Sequence, residues 1–237
     1  MGEALRLEGV YKCYRTSGEV VVALRGVSLS LREGELACVM GPSGSGKTTL
    51  LKVSAGLLEP DRGSVRLLGR ELYRLPLGER LRLRCGLVGF MFQEDLLIDT
   101  LTVLENVELP LLARGVPRRR RRELALEALE RLGIRGLAQR KPREVSGGER
   151  RRVSLAMSIV GEPKVLFADE PTSNLDTETS LAILGQLKEL NKEGMTILMA
   201  THDPLVAEEA GNVIFLRDGR VVGRRAGALG QGPPPQT

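Results

Sequence analysis

The chain carries one histidine, no tryptophan and only 3% aromatic residues. So little aromatic material leaves few platforms on which bases can stack, which argues against a nucleic-acid binder. Cys13, Cys38 and Cys85 are odd in number and share no metal-type spacing. They read most readily as buried, reduced thiols. No apolar run approaches the roughly 20 residues that span a bilayer. The start, Met1-Gly2-Glu3-Ala4-Leu5-Arg6, lacks the basic-then-apolar order of a signal peptide, and Arg6 stands where a myristoylation site wants Ser or Thr. These absences predict a soluble, cytoplasmic protein whose membrane role, if it has one, comes through a partner. The net charge of +5 is modest and mostly arginine, so it selects no partner class by itself.

At 237 residues the chain fits one domain with a sub-domain inserted. Leu5 to Tyr14 and Val20 to Leu31 alternate partly between apolar and polar, as β-strands do. Glu35 to Met40 is nearly continuous apolar sequence bounded by Gly34 and Gly41, the pattern of a strand buried on both faces. Lys47 to Leu58 then has helical spacing. Between Leu96 and Glu144 the sequence turns leucine-rich; Leu124, Ala128 and Leu132, with Ala125 and Leu129 beside them, make one apolar helix face. A helix is expected from about 148 to 160, a strand at 165–168, a helix over 179–191 and a strand at 196–200. Asp218-Gly219 joins the last two strands, near 213–216 and 220–223, as a hairpin. The expected organisation is a core of about 1–95 and 160–225, a helical insert of about 96–159, and a disordered tail over 226–237.

Gly41-Pro42-Ser43-Gly44-Ser45-Gly46-Lys47-Thr48 lies between the buried strand and the helix. Its glycines let the backbone turn so that successive N–H groups point inward at phosphate oxygens, and the following helix adds a partial positive N-terminus. Lys47 reaches toward β- and γ-phosphates, and the Thr48 hydroxyl is of the type that holds Mg²⁺. Downstream, Val165-Leu166-Phe167-Ala168 leads into Asp169-Glu170. Two carboxylates at the C-terminal end of a buried strand stand where open α/β sheets bind ligands. Asp169 suits Mg²⁺, directly or through water, and Glu170 suits polarising the water that attacks the γ-phosphate.

With Ser146-Gly147-Gly148-Glu149 ahead of the acidic pair, the sequence resembles the ATPase subunits of ABC transporters up to about Gly223. The resemblance implies an α/β fold: a P-loop NTPase core with a mostly parallel sheet, an N-terminal antiparallel β-rich subdomain and an inserted α-helical subdomain. It also implies ATP and Mg²⁺ as ligands. Ser146, Gly147, Gly148 and Glu149 would cap the γ-phosphate held by the phosphate loop of an opposing copy, while Ser146 and Glu149 also make a helix capping box. Gln93 resembles the glutamine that touches Mg²⁺ and water. Asp176, in Ser173-Asn174-Leu175-Asp176, resembles the loop crossing the dimer interface. His202 resembles the switch histidine, and Thr49 joins the phosphate-binding set. Tyr14 resembles the aromatic that stacks on adenine, with Tyr11 as the alternative.

Departures from the family pattern are Val145 for leucine, Arg150 and Arg151 for glutamines, and Ala156-Met157-Ser158 for Ala-Arg-Ala. None removes a phosphate- or Mg²⁺-contacting group; they bear on the signature helix and the dimer interface. The loops around Leu104 to Pro110, Ser173 to Asp176 and Thr201 to Pro204 resemble the branch holding lipoprotein-release, macrolide-export and cell-division ATPases. The resemblance implies an ATP-driven head-to-tail dimer acting on separate membrane permease subunits, attached peripherally to the inner face of the membrane, with no nucleic acid. The alternatives are a mechanical module that moves a membrane protein without transport, and a soluble ATPase acting on nucleic acid or ribosomes. Arg118 to Arg122, followed by Glu123, Glu127 and Glu130, reads as a solvated helix face.

Overall fold

The computed structural model describes residues 2–16 and 18–225, so the expected tail over 226–237 lies outside the described residues. In chain order the elements are β1 (Glu3–Thr16), β2 (Glu19–Arg32), β3 (Leu36–Met40), α1 (Lys47–Ser54), β4 (Arg62–Leu67), β5 (Arg70–Glu71), α2 (Leu77–Leu87) and β6 (Val88–Met91). They continue as α3 (Val103–Ala113), α4 (Arg118–Arg131), α5 (Gly147–Ile159), β7 (Val165–Asp169), α6 (Thr177–Lys192), β8 (Thr196–Thr201), α7 (Pro204–Ala210), β9 (Asn212–Arg217) and β10 (Arg220–Arg225). The described residues form two compact units, one from 2–16, 18–76 and 196–225, the other from 77–195.

In the first unit an antiparallel sheet runs β2-β1-β4-β5. Leu5 pairs with Leu31 and Leu67, and Leu7 with Leu29 and Val65; all six side chains are buried, while Arg6 and Glu8 between them are exposed. Period-two alternation therefore fixes both the register and the buried face. The other strands of this unit follow the order β10-β9-β3-β8, with β3 parallel to both β8 and β9. Ala37, Cys38 and Val39 are buried, as expected of a strand covered on both faces. Antiparallel β9 and β10 turn through Asp218 and Gly219, both at positive φ, the geometry of the tightest hairpin loops. Helix α1 stops at Ser54, four residues short of the expected end. Gly56 takes a left-handed φ of +76°, and the N–H groups of Leu57 and Leu58 return to the Lys52 carbonyl.

In the second unit β6 and β7 pair in parallel, Phe90 opposite Phe167, and all five residues of β7 are buried. Helices α2 and α5 pack on β6, and α3 and α4 pack on α5. On α4, Ala125, Ala128 and Leu129 are buried and Leu132 follows them inward, while Glu127 and Glu130 face solvent. The Leu124 side chain is only half-buried. The elements not anticipated are α2 and β6 here and β4, β5 and α7 in the first unit. The three thiols are free, but only Cys38 is buried; Cys13 and Cys85 sit at intermediate exposure. That corrects the expectation of three buried thiols: Cys13 lies in the more exposed C-terminal end of β1, and Cys85 on α2, whose one buried residue is Leu83.

Candidate functional site

The first unit carries the glycine-rich segment expected to bind phosphate. Gly41 leaves β3 with its N–H toward the Thr201 carbonyl (3.4 Å), and the Gly219 N–H donates to the Ser45 carbonyl (3.0 Å). The loop is thus pinned by the ends of β8 and of the β9–β10 hairpin. Gly46 caps α1 at φ +102°, and a Cβ there would collide with the Ala23 carbonyl oxygen. A Cβ at Gly41 would strike the Leu216 carbonyl and the Ser45 hydroxyl. Only glycine fits both positions. No side chain caps the N-terminus of α1, an end of a helix that favours an anion. Lys47 is 7% exposed, and its ammonium donates to the Gly41 (2.8 Å) and Pro42 (3.2 Å) carbonyls, folded over the loop it serves. The Ser45 hydroxyl is buried within the loop without a hydrogen-bond partner among the described residues.

Near the same loop, the Tyr14 hydroxyl lies 3.2 Å from Thr49 Oγ1, and the ring is 39% exposed. Tyr11 instead sets its phenol against Gly26, where a Cβ would sit 3.0 Å from the hydroxyl. His202 follows β8 in an exposed position, one residue beyond the Thr201 that receives Gly41. The next residue, Asp203, caps α7 by accepting the Leu205 N–H at 2.9 Å.

The second unit carries the acidic and signature segments. Asp169 ends β7 at 2% exposure and Glu170 follows at 7%. Glu170 has φ +47°, a left-handed backbone that a non-glycine residue adopts only when its surroundings hold it there. The Ser173 N–H (3.1 Å) and Arg151 Nη2 (2.7 Å) both donate to its carbonyl. Helix α5 opens on Ser146, whose hydroxyl accepts the Glu149 N–H (3.3 Å) while the Glu149 carboxylate accepts the Ser146 N–H (2.7 Å). This is the expected capping box, and it does not engage the N–H groups of Gly147 and Gly148. A Cβ at Gly148 would meet Thr179 Cγ2 at 2.5 Å, so any larger residue there would have to displace the Thr179 side chain. Asp176 caps α6: its carboxylate accepts the Thr179 N–H (2.9 Å) and hydroxyl (2.7 Å), which hold its pKa below the usual carboxylate range. Gln93 is exposed, and its backbone carbonyl accepts Arg151 Nη1 at 2.9 Å.

Arg151 is the residue that sequence reasoning undervalued. It is 2% exposed and spends its guanidinium on backbone carbonyls around the site. Burial lowers its pKa, opposed by the hydrogen bond and charge of Asp95 and by the charges of Asp169 and Glu170. The signal was present: Arg151, Leu155 and Ile159 recur every four residues on α5, and all three are buried. The polar run Glu149 to Arg152 hid it. In the arginine run of α4, Arg119 and Arg120 pair with Glu123, and Arg121 pairs with Glu108, as a solvated and partly packed face requires.

The first unit therefore gathers Tyr14, Gly41 to Thr49 and His202; the second gathers Gln93, Ser146 to Glu149, Asp169, Glu170 and Asp176. A glycine cradle between a buried parallel strand and a helix, with two acids ending another buried strand, defines a P-loop nucleotide hydrolase. The profile of the ABC transporter family matches residues 24–173. Over 218 residues, 92% of this chain, it is 44% identical to the macrolide export ATP-binding/permease protein MacB of Chlorobium luteolum and 40% identical to the ABC transporter ATP-binding protein YvrO of Bacillus subtilis. The alignment spans 33% of the former and 95% of the latter, so the chain matches about a third of the MacB relative's length. Among solved structures, the dimeric ATP-binding cassette MJ0796, in a post-hydrolysis state bound to ADP and Pi, superposes with a TM-score of 0.86 at 38% identity, covering 94% of this chain and 98% of that one. This chain belongs to the ABC transporter family, as an ATP-binding and ATP-hydrolysing subunit.

Proposed function

We propose that the chain pairs head to tail with a second copy, so that each ATP lies between the phosphate loop of one copy and Ser146-Gly147-Gly148 of the other. One observation carries this reading. The N-terminus of α5 is exposed and its capping box leaves the Gly147 and Gly148 N–H groups unengaged, which makes half of an anion site. The dimeric, ADP- and Pi-bound relative supports it. Closure then depends on the γ-phosphates, and their loss lets the copies part.

Within each site, Gly41 to Thr49 would cradle the phosphates through backbone N–H groups, with Lys47 turning from its own loop carbonyls to the β- and γ-phosphates. Tyr14 would lie on adenine; both tyrosines are exposed, but the Tyr14 hydroxyl stands beside Thr49 next to the loop, which favours it over Tyr11, set against Gly26. Thr48, Gln93 and Asp169 offer hydroxyl, amide and carboxylate oxygens, the hard donors that Mg²⁺ takes, and would hold it. When bound, Mg²⁺ would neutralise charge on the β- and γ-phosphates. Glu170 would accept a hydrogen bond from the attacking water and polarise it, His202 would contact the γ-phosphate, and Asp176 would stand at the interface beside the acidic pair.

A membrane permease is the proposed partner, supported by macrolide-export relatives whose names join ATP-binding and permease functions. Among the described residues no helix is long and apolar enough to cross a membrane. The proposed placement is peripheral, on the inner face of the membrane through that permease. Glu170→Gln tests the chemistry. It should bind ATP as the parent does and lose steady-state hydrolysis; turnover at the parental rate would remove Glu170 from its role.

A further inference from the structure

Five backbone carbonyls and one carboxylate converge on the buried guanidinium of Arg151. Nε donates to the Pro171 carbonyl (2.8 Å). Nη1 donates to the carbonyls of Phe92 (2.8 Å) and Gln93 (2.9 Å) and to Asp95 Oδ1 (3.3 Å). Nη2 donates to the carbonyls of Asp169 (3.2 Å) and Glu170 (2.7 Å). These acceptors come from two separate segments of the second unit, the chain leaving β6 and the chain leaving β7. Both segments leave their strands, so these carbonyls need donors from elsewhere. A planar fork with five N–H donors meets that need in a way that lysine or glutamine cannot.

The rest of the surroundings point the same way. Asp95 supplies the nearest counter-charge, and its backbone carbonyl accepts the Ser154 hydroxyl (2.9 Å), so the same segment is tied to α5 a second time. Three non-glycine residues with left-handed backbones gather here: Glu170 itself, and Leu96 and Asn174, which line a cavity of about 620 Å³ with Arg151. Strained backbone of this kind persists only where neighbours over-determine it.

We propose that Arg151 is a positioning residue for hydrolysis, locking the backbone of Gln93 and of Asp169-Glu170 into one rigid arrangement so that the Glu170 carboxylate and the Gln93 amide are set together. The inference rests on the proposed roles of Gln93 and Glu170. It also reassigns a departure from the family's glutamines: Arg151 serves the reacting end of its own copy, not the tuning of the interface.

The test is Arg151→Gln in the full chain, with Glu170→Ala and the double variant completing a cycle. A group displaced by about 1 Å costs on the order of a hundredfold in rate. Arg151→Gln should therefore lower kcat at least about tenfold, with KM for ATP within about threefold because the phosphate loop is untouched. In the Glu170→Ala background the same change should alter residual turnover less than about twofold, since the Gln93 amide that stays positioned no longer has the Glu170 carboxylate to act with. Asp95→Asn with Arg151→Gln removes the carboxylate that loses its nearest counter-charge and keeps Arg150 at 3.7 Å, and should show the same kcat loss while still melting cooperatively above the assay temperature. An unchanged kcat overturns the assignment, as does an equal loss in the Glu170→Ala background. Unfolding of both Arg151 variants would make the residue a structural strut and overturn it too. Glu170→Ala at the parental rate would overturn the underlying reading, in an arm that leaves Arg151 intact.

Discussion

Asn106 on α3 is fully buried, and its amide closes the loop that leads from the Gln93 segment into that helix. Its Oδ1 accepts the Ile98 N–H (2.8 Å), and its Nδ2 donates to the carbonyls of Ile98 (3.1 Å) and Thr102 (2.9 Å), with a longer approach to Leu101 (3.4 Å). Asn106→Ala deletes three well-formed bonds and strands the Ile98 N–H, while the Ile98 and Thr102 carbonyls keep the Leu101 and Asn106 N–H groups. At about 1 kcal/mol per net bond, with the desolvation of a stranded donor added, the loss is roughly 3–4 kcal/mol. For a chain of this size that is a fall of about 6–16 °C in Tm. Circular dichroism melts would read it, and hydrogen exchange at Ile98 should accelerate before the strands exchange. Asn106→Asp should be worse than alanine, because a carboxylate would face the three carbonyls that Nδ2 now serves. A drop below about 2 °C for Asn106→Ala would refute the reasoning, showing that water or loop repacking replaces the amide.

Two further outcomes follow from local geometry. Gly46→Ala forces a Cβ onto the Ala23 carbonyl at φ +102°, so it should destabilise the fold by about 2–3 kcal/mol in urea and weaken ATP binding by calorimetry; parental affinity would contradict the cradle. The Asp61 carboxylate is held below its usual pKa, first by the Cys13 N–H (2.5 Å) and then by Lys12 (3.1 Å). A depressed folded pKa gives stability that is present above the unfolded value, about 3.9, and lost as pH falls through the folded value. The gap between the parent and Asp61→Asn in urea melts should accordingly be full at neutral pH and close below about pH 4; a gap independent of pH would contradict it.

Local chemistry explains what the sequence made legible. Gly41 to Thr48, the apolar run into β3, the capping box at Ser146 and the Asp218-Gly219 turn each declare their structure within a few residues. Helix α2 did not, because Leu83 is its one buried residue and its remaining surface reads as charged loop. Helix α7 carried a usable signal in Asp203-Pro204, an N-cap with proline at the first helical position. The value of Arg151 was hidden for a different reason: its acceptors lie 18 to 59 residues away in sequence, and no local pattern prices a side chain by backbone carbonyls that distant. Sequence favoured Tyr14 with Tyr11 as the alternative, and the two differ in placement, Tyr14 beside Thr49 and Tyr11 against Gly26.

The central claim is that one ATP site is built by two copies of this chain. Light scattering on Glu170→Gln after size exclusion, with and without ATP, tests it most directly. The account predicts a monomer without nucleotide and a particle of twice the mass with ATP. A monomer at saturating ATP would contradict it.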